Sequence, residues 1–109
     1  MNIWLDDQRQ APEGWVHLHN MDEVEAFVKS ALCSSNNSGY NVRIDKMSFD
    51  YHLSHPKKGI DVIKYLADLC VKENTDKFWP KEIFYHSNDP EGVKEMKAFV
   101  ENFEKGLNN

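Results

Sequence analysis

Residues 3–9 read IWLDDQR, and this stretch anchors the interpretation of the whole chain. Its three apolar residues pass directly into two adjacent acids, Asp6 and Asp7, with Arg9 two positions later. A short apolar run that ends in polar residues is typical of a buried strand followed by a loop. The stretch therefore predicts a strand over Asn2–Leu5 that carries acidic side chains at its carboxyl end.

Outward from this strand, the spacing of apolar residues predicts an α/β fold with three more strands and three helices. Strands and helices alternate, except that no helix separates the first two strands. Strands joined through helices imply right-handed crossovers and a mostly parallel open sheet, with the second strand a candidate edge strand. The predicted strands are Asn2–Leu5, Trp15–His19, Ile44–Phe49 and Glu82–Tyr85, the helices start at Asn20, Gly59 and Asp89, and Ser34–Asn41 is a predicted loop.

Length, composition and charge limit the classes of protein to which the chain can belong. Its 109 residues, 40% of them hydrophobic, predict a single domain over residues 1–109 with a core of its own. The net charge of −5 disfavours extended nucleic acid and anionic membranes as partners, and no apolar run approaches the roughly 20 residues of a transmembrane helix. Two cysteines outside any CxxC pair, with no signal-peptide pattern, predict a reducing, cytoplasmic location.

Side chains with useful chemistry follow three of the predicted strands. In an open parallel sheet the carboxyl ends of the strands lie at one edge, and ligands bind in the crevice there. A solvated edge is the simpler explanation of polar loops, but acids and histidines together favour a site. The residues concerned are Asp6 and Asp7 after the first strand, Asp50 and His52 after the third, and His86, Ser87 and Asn88 after the fourth.

The three acids Asp6, Asp7 and Asp50 would repel one another at this edge unless a positive charge compensates them. Mg²⁺ or another divalent cation is one solution, because it binds a few carboxylates and retains several waters. Arg9 is the alternative, which we slightly favour because one of the acids can pair with it directly. The sequence leaves both a metal site and an arginine counter-charge open.

Histidines and the start of the last helix supply groups for proton transfer and anion binding. His52 and His86 could act as general acid and base near neutral pH, or could be half-buried structural side chains. A helix N-terminus presents free N–H groups that suit a phosphate, and Gly92 in the first turn would let a ligand approach the backbone. Capping of the helix by Asp89 is the simpler interpretation of the same residues.

Several short motifs, in order along the chain, resemble those of the cyclic-phosphate processing receiver-like domains, a degenerate version of the response-regulator receiver fold. The resemblance spans nearly the whole chain. It implies a small three-layer, receiver-like (flavodoxin-like) α/β fold of about four strands and three helices, and an activity on cyclic phosphates. The motifs are IWLDDQR with PEGW, SFDYHL, GIDV and HSNDPEGVKEM.

One matching motif departs from the pattern of that family. Asp50 begins a motif that usually reads Asp-His-Asp-Leu and here reads DYHL, so Tyr51 replaces the usual histidine and His52 the second acid. The resemblance therefore implies an altered half of the site. The other matching positions are Asp6, Asp7, Arg9, Trp15, His86, Ser87, Gly92 and Met96.

The activity that the resemblance implies is hydrolysis of a cyclic phosphate on a nucleotide, an RNA end or an ADP-ribose derivative. The expected partner is then a phosphate-containing small molecule or nucleotide. The residues expected for this activity are Asp7, Asp50, His52 and His86 as catalytic groups, Arg9, Trp15, Ser87, Asn88 and Gly92 as ligand-binding groups, and Asp6, Asp7 and Asp50 as candidate metal ligands.

Three alternatives stay open at this point. The altered DYHL motif suits a non-catalytic module that sequesters a cyclic nucleotide. A phospho-receiver would carry its phosphoryl group on Asp50, but no fifth predicted strand brings the lysine of ordinary receivers. A protein-interaction domain could use exposed Trp15 and Trp79, although single exposed aromatics are common. The sequence leaves the oligomeric state undecided.

Overall fold

The structure, a computed structural model, describes residues 1–35 and 42–107. Within these ranges four strands and three helices follow one another in the predicted order, which confirms the α/β class. The elements are β1 (Asn2–Leu5), β2 (Val16–Leu18), α1 (Met21–Ser35), β3 (Lys46–Phe49), α2 (Gly59–Lys72), β4 (Glu82–Tyr85) and α3 (Pro90–Leu107).

The four strands form one sheet in the order β2-β1-β3-β4, and every neighbouring pair is parallel. β2 lies at an edge, as the missing helix between the first two strands predicts. The register aligns the last residues of the four strands, which are Leu5, Leu18, Phe49 and Tyr85. The next residues of the central strands and β4, Asp6, Asp50 and His86, therefore leave the sheet side by side at one edge.

Element boundaries differ from the predicted ones in a few places. β2 is shorter by one residue at each end. β3 begins at Lys46 rather than Ile44, because the backbone N–H of Ile44 donates to the carbonyl of Lys77, in the loop before β4, at 3.0 Å. α1 continues to Ser35, two residues into the predicted loop Ser34–Asn41, and the rest of that loop lies outside the described residues.

Burial alternates along the strands and separates the two faces of the sheet. On one face, the side chains of β1 and β3 are at most 1% exposed. On the other face Trp4 is half-buried and Phe84 is 43% exposed. The side chains of the covered face, Ile3, Leu5, Met47 and Phe49, join apolar residues of all three helices in one core cluster.

The helices lie on this covered face. α1 joins β2 to β3 and α2 joins β3 to β4, so both connections step in the same direction, and right-handed crossovers place both helices on one side. α3 packs against α2. The receiver-like parallel sheet is confirmed, but the expected three layers become two among the described elements, because the connection from β1 to β2 is a loop and not a helix.

Other expectations concern membranes, cysteines and exposed tryptophans. None of the helices in the described ranges is long and apolar enough to cross a membrane. Burial raises the pKa of the Cys70 thiol to about 11, while Cys33 is exposed. Trp79 is only 8% exposed and packs on Phe103, with ring centroids 4.6 Å apart, so the expectation of an exposed interaction surface at this residue is wrong.

Candidate functional site

A polar cavity of about 520 Å³ opens at the carboxyl ends of β1, β3 and β4. The loops after these three strands supply its walls, as the parallel register requires. Seven of the residues predicted for a site meet here, whereas Trp15, Gly92 and His86 are not among the lining residues. The lining consists of Asp6, Asp7, Gln8, Arg9, Asp50, His52, Ser54, Ser87, Asn88, Asp89 and Pro90.

Asp6 is the most enclosed acid of the site, at 1% exposure. Its Oδ1 accepts hydrogen bonds from the backbone N–H groups of Gln8 (2.8 Å) and Arg9 (2.9 Å), and its Oδ2 lies 3.0 Å from Nε2 of His86. Burial alone would raise the pKa of Asp6, but these hydrogen bonds outweigh it and the pKa is lowered. Asp6 is therefore a carboxylate at neutral pH.

His86 connects Asp6 to the sheet. Its ring stacks on Trp4 with centroids 3.8 Å apart, and its Nδ1 lies 2.7 Å from the hydroxyl of Ser48. Burial lowers the pKa of His86, against the opposing effect of Asp6, so the neutral ring predominates at neutral pH. The contacts favour a tautomer whose Nε2–H donates to Asp6 while Nδ1 accepts from Ser48.

Ser48 was missed by the sequence analysis. It is a 3% exposed residue of β3 and looks like an ordinary strand serine. The alternation of side chains along the strands could have placed it on the same face as Trp4 and His86, where a buried hydroxyl needs a polar partner.

Arg9 does not compensate the acids in the expected way. Its guanidinium donates to the backbone carbonyl of His86, and the ion pairs of residues 1–35 and 42–107 do not include it. The expectation that one acid pairs directly with Arg9 is therefore wrong. Asp6 does not pair with the guanidinium because its carboxylate already accepts from the backbone N–H groups of the loop after β1 and from His86.

A second histidine–aspartate pair lies on the opposite wall. Nε2 of His52 lies 2.7 Å from Oδ2 of Asp89, and the His52 side chain is 62% exposed. Asp89 also caps α3, because its Oδ1 accepts from the backbone N–H of Gly92 at 3.0 Å. The backbone hydrogen bond from Gly92 and the bond from His52 lower the pKa of Asp89. The capping interpretation of this helix start is confirmed.

A family comparison bears directly on this arrangement. The model of the cyclic-phosphate processing receiver domain matches residues 1–102 of the 109-residue chain. The chain belongs to this family. The resemblance carried by its motifs is thereby confirmed, and the family description associates the domain with cyclic-phosphate processing. No curated protein and no solved structure gives a significant match to the chain.

The two altered positions of the DYHL motif lie in different surroundings. Tyr51 turns away from the cavity, is 9% exposed and donates its hydroxyl to Glu95 at 3.1 Å. His52, at the position where the resemblance implies a second acid, lines the cavity. The position of the motif that differs most in charge from the pattern implied by the resemblance is therefore the one that lines the cavity.

Gly92 and Trp15 have structural explanations in this receiver domain. A Cβ on Gly92 would lie 2.4 Å from the ring of Tyr51, so glycine is needed there for packing rather than for the approach of a ligand. Trp15 meets Trp4 edge-on, with ring centroids 6.1 Å apart, outside the cavity lining. Neither residue is placed to bind a molecule in the cavity.

Negative charge dominates the cavity. Its lining carries four aspartates, Asp6, Asp7, Asp50 and Asp89, against one arginine. Candidate ligand atoms of Asp6, Asp50 and His86 lie within 4.8 Å of one another, and Asp7 is not in this group. The carboxylates of Asp6 and Asp50 fit a hard divalent cation, whereas His86 does not, because its Nε2 is engaged with Asp6.

Proposed function

We propose that this domain hydrolyses a cyclic phosphate on a sugar, as found on a nucleotide, an RNA end or an ADP-ribose derivative, to a phosphomonoester. The observation that carries the proposal is a polar cavity at the strand ends in which carboxylates outnumber the single guanidinium. A phosphate diester is an anion and would be repelled by such a lining. It binds there when a cation offsets the carboxylates.

The carboxylates of Asp6 and Asp50 would hold a divalent cation such as Mg²⁺. When bound, the cation would polarise the phosphate and lower the pKa of a bound water. Asp6 is held rigid for this purpose by two backbone N–H groups and His86. Asp7 and Arg9 lie on the same wall, where Arg9 is suited to bind a phosphate oxygen.

His52 is the group of this chain best placed to move a proton. Asp89 fixes its orientation through Nε2, and the ring is exposed to the cavity. It accepts the proton of the attacking water as the new bond from water oxygen to phosphorus forms. The bond from phosphorus to the sugar oxygen then breaks, and that oxygen takes a proton from the solvent at the open cavity mouth.

The experiment that tests this function compares Asp50→Asn with the wild-type protein on 2′,3′-cyclic nucleotides in Mg²⁺. Removing one carboxylate that holds the cation should lower the rate of phosphomonoester release by about 100-fold or more. Asp68→Asn is the matched control, because Asp68 is an exposed aspartate of α2 outside the cavity. Full turnover by Asp50→Asn would rule out the proposed role of this site.

A second candidate function rests on the altered motif. Tyr51 stands where the resemblance implies a histidine, and its hydroxyl bonds to Glu95 of α3, so the domain would lack one of the groups expected after β3. It would then bind a cyclic nucleotide without converting it. Calorimetry that shows stoichiometric binding, together with chromatography that shows unchanged nucleotide, would support this function over hydrolysis.

A further inference from the structure

Two residues other than glycine have a left-handed backbone in the described part of the chain. They are Ser54, with φ of 47°, and Asn74, with φ of 51°. This conformation brings the Cβ of an L-residue close to its own backbone, so it is unfavourable for most residues, better tolerated by asparagine and free of cost for glycine.

Asn74 is explained by its place in the fold. It follows the end of α2, and its backbone N–H donates to the carbonyl of Val71 at 3.3 Å. The backbone N–H of Thr75 donates to the carbonyl of Cys70 at 3.1 Å. A left-handed residue just after a helix is a common way to end it, and asparagine is a usual choice. The conformation of Asn74 therefore needs no functional explanation.

Ser54 has no comparable explanation. It lies in the loop between β3 and α2, five residues before the helix begins at Gly59, and it is exposed in the wall of the cavity. Its hydroxyl has no protein partner among residues 1–35 and 42–107. An unfavourable backbone conformation held at a cavity wall is the pattern expected of a residue that serves a ligand.

We infer that Ser54 is a further ligand-binding residue of the cavity and that its hydroxyl donates to a phosphate or sugar oxygen of the bound cyclic phosphate. The inference rests on the proposed function. On this wall Asp50 is an acceptor and His52 is engaged with Asp89, so the hydroxyl of Ser54 adds a neutral donor. A neutral hydroxyl can donate to an anion, and because it carries no positive charge it does not compete with the cation for the carboxylates.

Three variants separate the hydroxyl from the backbone conformation. Ser54→Ala removes the hydroxyl and keeps a Cβ in the left-handed position. Ser54→Gly removes both, and Ser54→Asn restores a polar donor on a residue that tolerates this backbone. Asn74→Gly is the matched control, because it changes the other left-handed residue, which lies outside the cavity lining.

The measurement is the KM and kcat for 2′,3′-cyclic AMP in Mg²⁺, with the urea midpoint of each variant. Loss of one hydrogen bond made equally to substrate and transition state should raise KM about 2- to 12-fold, with kcat within about twofold, for Ser54→Ala and Ser54→Gly. Ser54→Asn should recover part of the loss, and Asn74→Gly should keep the wild-type KM. Ser54→Gly should raise the urea midpoint, so its weaker binding would not reflect unfolding.

Wild-type KM values for both Ser54→Ala and Ser54→Gly would overturn the inference and leave Ser54 as a turn residue, while the proposed function stands. A wild-type protein that does not convert 2′,3′-cyclic AMP or other cyclic phosphates would overturn the proposed hydrolysis. If that protein still binds them, the Kd from calorimetry replaces KM, and wild-type Kd values for Ser54→Ala and Ser54→Gly would overturn the role of Ser54. If it binds none of them, the role of Ser54 falls with the proposed function. The two failures are distinguishable, because the second appears before any variant is made.

Discussion

Two histidine–aspartate pairs flank the same cavity and differ mainly in burial. Oδ2 of Asp6 lies 3.0 Å from Nε2 of His86, and these side chains are 1% and 13% exposed. Oδ2 of Asp89 lies 2.7 Å from Nε2 of His52, and these side chains are 29% and 62% exposed. Similar hydrogen bonds therefore have different uses. The buried pair ties the loop after β1 to the end of β4, and the exposed pair is open to solvent in the cavity.

The largest expected effect follows from the buried pair. Asp6→Ala should lower the free energy of unfolding by about 3 kcal/mol, because it leaves the N–H groups of Gln8, Arg9 and His86 without their acceptor. Asp89→Ala should lower the free energy of unfolding by only about 1 kcal/mol, which is typical when the side chain that caps a helix is removed. Urea unfolding of both variants measures the contrast, and equal losses would contradict it.

The next effect concerns the exposed pair and catalysis. His52→Gln should lower kcat for a cyclic phosphate by about 100-fold, because the variant loses its general base, and should leave the urea midpoint nearly unchanged. His55→Gln is the matched control, since His55 pairs with Asp22 at 3.2 Å outside the cavity lining. Equal kcat values for the two variants would remove His52 from the mechanism.

The smallest effect is the pH dependence of stability that His86 confers. Burial lowers its pKa in the folded protein, so the unfolded chain, where a histidine titrates near 6.5, takes up the proton first as the pH falls. The contribution of neutral His86 to the free energy of unfolding is complete above about pH 6.5 and is lost as the pH falls through the pKa of His86 in the folded protein.

Urea midpoints between pH 5 and pH 8 measure this contribution. The wild-type midpoint should decline below about pH 6.5 more steeply than that of His86→Gln, which keeps a side-chain N–H donor and every other histidine of the chain. Parallel curves would show that burial of His86 does not couple protonation to folding.

The sequence predicted the elements of the fold and the edge of the sheet where the site lies. Apolar spacing placed four strands and three helices, and parallel pairing then required Asp6, Asp50 and His52 to meet at the carboxyl ends. The layer count was wrong because the resemblance to receivers implied helices on both faces. The connection from β1 to β2 is too short and polar to supply one.

Contacts between side chains could not be predicted in the same way. The bond of Arg9 to the carbonyl of His86 and the bond of His86 to Ser48 join residues 77 and 38 positions apart, and they depend on how each side chain is turned. Likewise, only the structure shows that Gly92 makes room for Tyr51. Sequence spacing fixes the strand ends, whereas local rotamers and close packing decide which groups touch.

In the proposed function, the carboxylates of the cavity hold a cation that brings in a cyclic phosphate. Its most direct test is ³¹P NMR of 2′,3′-cyclic AMP incubated with the wild-type protein, once with excess Mg²⁺ and once with EDTA. We expect the phosphomonoester signal to appear only with Mg²⁺ and to return when Mg²⁺ is restored after EDTA. Equal conversion in EDTA, or no conversion with Mg²⁺, would contradict the account.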